Sequence, residues 1–106
     1  MLRNSLDDLD TNGQIGDWCF HVTKEHLYLF LRYPISDDEW NKWYGFSREE
    51  APEFNRGDVV SLPLSGDNTK PVWQWDGDRN FPTLTPSINV IGRWHGWLRE
   101  GQLVTA

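Results

Sequence analysis

The chain is poor in cysteine, in positive charge and in long apolar runs. Cys19 is its single cysteine, so no disulfide closes within the chain and a reducing interior is the natural compartment. No apolar stretch approaches the ~20 residues that a membrane span needs. The opening MLRNSLDDLD has acids early and no apolar segment, which argues against a secretory signal. Ten basic residues face 16 acidic ones, for a net charge of −6. That balance argues against nucleic acid as a direct partner, because binding a phosphate backbone takes clustered Lys and Arg. It also disfavours an anionic membrane and favours a protein partner with a basic surface. No glycine-rich phosphate loop, C-x-x-C or H-x-x-x-H pair is present, so no cofactor is expected. Repeats and low-complexity linkers are absent as well. Residues 1–106 therefore read as one domain of ordinary size, with residues 1–13 as a flexible or short helical arm.

What the chain does have is aromatic weight. Seven Trp, three Tyr and five Phe make up 14% of it, and each buried ring removes ~150–250 Å² from water. Alternation is the dominant pattern. Trp18, Phe20 and Val22 fall on one face of a segment over Asp17–Thr23, with Cys19 and His21 on the other. Leu27, Leu29, Leu31 and Tyr33 alternate with Tyr28, Phe30 and Arg32. Two period-2 runs across a short polar link predict a β-hairpin. Ser36-Asp-Asp-Glu39 is a capping box, and Trp40, Trp43 and Tyr44 follow at helical spacing. They predict a short helix from Asp37 to about Tyr44, closed by Gly45. Ser47-Arg-Glu-Glu50 repeats the pattern, with Pro52 limiting it to one turn. Leu2, Leu6 and Leu9 have helical spacing too, and Asp10-Thr-Asn-Gly13 reads as the turn that stops them. Further strands are expected over Val59–Leu64, Val72–Trp75 and Ser87–Ile91, with an extended stretch over Phe81–Pro86. A second hairpin pairs Trp94–Arg99 with Gln102–Thr105 across Glu100-Gly101. The expected fold is mostly β (α+β): a small antiparallel sheet or sandwich with one or two short helices inserted.

The candidate chemistry is sparse. Asp8, Asp10 and Asn12, followed by Gly13, match the start of a calcium loop, but its twelfth position is Cys19 rather than a bidentate Glu. Asp76-Gly-Asp78-Arg-Asn80 begins similarly and reads better as a tight turn. Cys19, His21 and His95 are candidate zinc ligands, one short of a structural site. Ser61, Ser65 and Ser87 stand in turn or strand contexts with no nucleophile elbow around them. Seven Trp exceed what so small a core hides, so one or two are expected at an interface.

The segment from Trp73 onward resembles an uncharacterised family of small β-rich proteins of phages and prophages, whose members genome annotation sometimes labels ammonia monooxygenase. Three motifs carry the resemblance: Trp73-Gln-Trp75-Asp-Gly77, Pro82-Thr-Leu-Thr-Pro86-Ser-Ile88 and His95-Gly-Trp97-Leu-Arg-Glu-Gly101. Leu62-Pro-Leu64-Ser65-Gly66 adds to them. Many relatives carry a Cys before the motif His and an N-terminal C-x-x-C, which implies a metal site. Here Trp94 precedes His95 and Cys19 stands alone. The resemblance implies a mobile-element origin and a small β domain, and with the lone cysteine the expected compartment is the cytoplasm of a host cell. The expectation that follows is a non-catalytic, phage-associated binding protein, with an anti-CRISPR inhibitor of a host effector complex as its concrete form. Asp37, Asp38, Glu39, Glu49, Glu50 and Glu53 would engage the basic partner, with Trp40 and Trp43 as anchors. The alternatives are a metal-dependent or hydrolytic enzyme centred on His95 with Cys19 and His21, and a virion or assembly component.

Overall fold

The fold follows from three antiparallel ladders that share one apolar interior. In the computed structural model, which describes residues 1–24, 26–45, 57–64 and 72–106, the first ladder joins β1 (Trp18–Thr23), β2 (His26–Tyr33) and β3 (Asp58–Pro63) in that order. Its register pairs Trp18 with Leu31, Phe20 with Leu29 and Leu31 with Val60. Side chains alternate across a strand, so Leu29, Leu31 and Tyr33 all turn inward and are buried. Pro63 closes β3 at the edge of the sheet, where a missing N–H is tolerated.

The helices are set by their caps. Helix α2 spans Asp37–Tyr44, with the Ser36 hydroxyl accepting from the Glu39 N–H and Gly45 closing it in the left-handed region at φ 74°. It is moored by Trp40, which is buried. Helix α1 runs Leu6–Asn12, capped by Ser5, three residues into the turn expected at Asp10-Thr-Asn-Gly13. Leu2 stays outside it and bridges to Trp18. The carbonyl end of α1 is held by Arg32, whose Nε donates to Leu9 O at 3.0 Å and Nη2 to Asp10 O at 2.9 Å. A cation there meets the negative end of the helix and satisfies carbonyls that lack an intrahelical partner. That is why a charged side chain on β2 is buried.

The C-terminal half supplies the other two ladders. Short strands β4 (Gln74–Trp75) and β5 (Leu84–Thr85) pair across the 76–83 loop. Asp76 Oδ1 accepts from Asp78 N and Thr83 N, and Asp78 Oδ1 from Asn80 N and Phe81 N, so the acids of this segment build turns as expected. Strands β6 (Ile88–Val90), β7 (Trp94–Arg99) and β8 (Gln102–Thr105) form the third sheet. Its β7–β8 turn has positive φ at both Glu100 (48°) and Gly101 (76°), the signature of a two-residue hairpin matched to strand twist. The Glu100 N–H donates to Thr83 Oγ1, and the Gly101 N–H to Pro82 O, which ties the turn to the segment leading into β5.

Leu84, Ile88, Trp94 and Leu98 join Trp18, Leu29, Leu31, Tyr33, Ile35 and Leu62 in one cluster. Fully burying a side chain of this kind contributes about 1.5–3 kcal/mol. The mostly β class stands. Among the described residues Trp18, Trp40 and Trp94 are buried, and Trp73, Trp75 and Trp97 are half-buried. Of the two proposed anchors, Trp40 is buried, and the side chain of Trp43 lies outside the described residues. No helix among the described residues is long and apolar enough to cross a membrane.

Candidate functional site

The β6–β7 hairpin brings a hydroxyl and an imidazole together at the surface. In its register Ile88 faces Gly96 and Asn89 faces His95, so Ser87, one residue before β6, stands diagonal to His95. Diagonal neighbours in an antiparallel pair are within reach of long side chains. His95 Nε2 lies 3.1 Å from Ser87 Oγ, inside the 2.6–3.2 Å at which a base takes a hydroxyl proton. His95 is exposed and Ser87 half-buried, so the pair is accessible. Its other ring nitrogen bonds no carboxylate among the described residues, and the ring packs instead on Trp97 at 5.8 Å between centroids.

The backbone under this pair is fixed by a close approach. Opposite Ile88 sits Gly96, where a Cβ would fall 2.5 Å from the Trp94 ring and closer still to the Val104 carbonyl. The Trp94 indole therefore crosses beneath β7 where Gly96 leaves room, and its Nε1 donates to Thr105 Oγ1 at 3.0 Å. A groove of about 510 Å³ opens beside His95, bordered by Ile35, Trp94 and Thr105. Arg93 also borders it and is held by Asp58 at 2.6 Å and the Tyr33 hydroxyl at 3.2 Å.

The other candidates do not assemble in the same way. Asp8, Asp10 and Asn12 lie on a helix rather than in a loop. The Asn12 amide, at 3.0 Å, and the Asn4 N–H both donate to the Asp8 carboxyl and hold it below the usual carboxylate range. Cys19 is fully buried. Burial, aided by the carboxylates of Asp10 and Asp8, pushes its thiol up to about 11. A neutral, inaccessible thiol is neither nucleophile nor ready ligand. His21 lies edge-on to Phe30 at 5.8 Å. Among the described residues no three His, Cys, Asp or Glu side chains converge as a metal site would require. Among the described residues, neither the calcium nor the zinc candidates are brought together as a ligand set, and Cys19 and His21 do not join His95. Ser61 and His21 line a common depression with Phe30, but no hydrogen bond joins them. Of the acidic binding candidates, Asp38 is exposed and Glu39 half-buried on the first turn of α2. The side chains of Asp37 and Trp43, and residues Glu49, Glu50 and Glu53, lie outside the described residues.

No sharp strand–turn–helix marks Ser87 in the sequence as a nucleophile. Its partner comes instead from the facing strand. The comparison with known families bears on this pair. Residues 53–106, just over half of the chain, match the model of a family described as bacterial ubiquitination-like system serine protease (BubE). No curated protein and no solved structure matches the chain. The description conflicts with the expected phage-borne anti-CRISPR inhibitor, and that expectation is withdrawn.

Proposed function

The chain belongs to the BubE family of bacterial ubiquitination-like system serine proteases, and on that premise we propose that it is a serine hydrolase with Ser87 as nucleophile and His95 as general base. The observation that carries the proposal is the 3.1 Å contact between Ser87 Oγ and His95 Nε2, within a matched region whose family description names a serine protease.

The chemistry follows from that contact. With Nε2 unprotonated, His95 accepts the Ser87 proton as Oγ attacks the substrate carbonyl carbon. The new C–O bond forms, the carbonyl oxygen takes up negative charge, and His95 carries the proton. Collapse breaks the bond to the leaving amine, which receives that proton from His95. Water then repeats the sequence on the acyl-serine, releasing the acid and restoring both side chains. Packing on Trp97 limits the swing of the imidazole, a role that an acid on the far nitrogen takes in a full triad. Among the described residues no carboxylate completes a triad on His95, and a serine–histidine pair is a weaker device than a triad, so activated esters should turn over more readily than amides.

The test is hydrolysis of p-nitrophenyl acetate by the purified chain and by Ser87→Ala. A Ser87-dependent rate at least tenfold above that of the alanine variant supports the reading. Equal rates in the two proteins overturn it.

A further inference from the structure

Resting on the serine-hydrolase reading, we propose that Trp97 and Arg99 select the acyl side of the substrate, favouring a peptide with an acidic side chain two residues before the scissile bond. The two residues follow His95 at alternate positions of β7, so all three side chains stand on the open face of the sheet. The even positions Trp94 and Leu98 are buried beneath. The row is continuous. The His95 ring lies 5.8 Å from Trp97, and the Arg99 guanidinium carbon lies 4.8 Å from the centre of the Trp97 ring. Stacking on an indole holds a guanidinium in plane while leaving its N–H edge free for a carboxylate.

Direction along the row follows from the reaction. Continuing the β6–β7 register by one step sets Ser87 level with Trp97, whereas His95 lies one alternate position back. His95 must hand its proton to the leaving group, so the leaving group lies at the His95 end. The acyl part of an extended peptide then runs the other way, over Trp97 toward Arg99. Trp97 and Arg99 are two residues apart, about 7 Å along a strand, and a bound peptide of the same geometry brings its second side chain before the scissile bond to the guanidinium.

Charge supports the choice of an acid. On this face the described neighbours Asn89, Gln102 and Val104 are uncharged. Arg99 forms no ion pair among the described residues, not even with Glu100 in the adjoining turn. In a chain of net charge −6, an uncompensated guanidinium beside the reacting pair gives a local site for an anion that the rest of the surface repels. Arg–carboxylate recognition adds geometry as well as charge.

The experiment compares three p-nitrophenyl esters, of acetyl-Glu-Ala, acetyl-Gln-Ala and acetyl-Lys-Ala, on the wild-type chain, Arg99→Gln and Arg99→Glu, with Ser87→Ala as blank. The expected result is a kcat/KM for the Glu ester about fivefold above Gln, with Lys lowest, expressed mainly in KM and shrinking as salt rises. Arg99→Gln should level the three, and Arg99→Glu should invert Glu and Lys. Equal Ser87-dependent rates for the three esters on the wild type would overturn the inference alone. So would an order that Arg99→Glu leaves unchanged, or Ser87-dependent turnover of p-nitrophenyl acetate with none of the peptidyl esters. Absence of Ser87-dependent turnover of every ester, p-nitrophenyl acetate included, would sink the hydrolase reading and this inference with it.

Discussion

Ser87 Oγ and His95 Nε2 meet at 3.1 Å across a hairpin whose register sets them diagonally. The two act as one device, so their removal should not be additive. Ser87→Ala, His95→Gln and the double variant should lose Ser87-dependent esterase activity to a similar residual level, each by about 10²–10⁴-fold. Steady-state rates on p-nitrophenyl acetate check this. A double variant far below both singles would mean that the residues act independently.

Gly96 bears on the same geometry through packing. A methyl group there meets the Trp94 ring and the Val104 carbonyl, one of them backbone that cannot swing aside. Gly96→Ala should cost about 1–3 kcal/mol, the usual range for overpacking, read as a lower midpoint in urea at unchanged slope. Wild-type stability in this variant would show that Trp94 has room to move.

Asp17 should make stability depend on acid. Burial raises its pKa, but the Gln14 N–H, the N-terminal amine and Arg3 together outweigh that, and the net shift is downward. The amine lies 3.0 Å and Arg3 Nε 2.8 Å from its carboxylate. For a carboxylate whose folded pKa is depressed, the unfolded chain binds the proton more readily. The stabilisation is therefore complete above the unfolded value near ~3.9 and is lost as pH falls through the lower folded value. Asp17→Asn should lower stability at pH 7 by about 1–3 kcal/mol and flatten the acid limb that begins as pH falls below about 4. Urea midpoints across that range check it, and parallel acid limbs in the two proteins would contradict it.

Cys19 should be silent while the chain is folded. Its thiol is fully buried and pushed up to about 11, and thiolate is the reactive form. Iodoacetamide at pH 8 should leave the native chain unmodified and alkylate it once in denaturant. Rapid native labelling would contradict the burial.

Much of this architecture is legible in the sequence wherever the signal is local. The capping box from Ser36 to Glu39 and the glycine at 45 locate α2 to the residue. Strict alternation locates the β1–β2 hairpin and the faces of its residues. What escapes depends on partners far along the chain. Arg32 sits in an alternating strand, where a charge reads as solvent-facing, and only the carbonyl end of α1 explains its burial. Asp8-Leu-Asp10-Thr-Asn12 looks like a cation loop because the ligand spacing is there. The cap at Ser5, three residues before Asp8, decides for helix. The reacting pair was half legible. A strand over Ser87–Ile91 and another from Trp94 imply a tight turn, but a two-residue turn would set Ser87 across from Leu98; the observed register, with Val90 facing Trp94, is what brings Ser87 diagonal to His95. Scanning for a nucleophile elbow finds nothing here, because this hydroxyl is set by pairing between strands.

The most direct measurement is active-site labelling of the purified chain with diisopropyl fluorophosphate, followed by peptide mapping in a mass spectrometer. The account predicts a single phosphoryl adduct on Ser87, formed in the wild type and lost in His95→Gln, with Ser61 unmodified. No adduct, or one on another residue that forms equally well without His95, would contradict it.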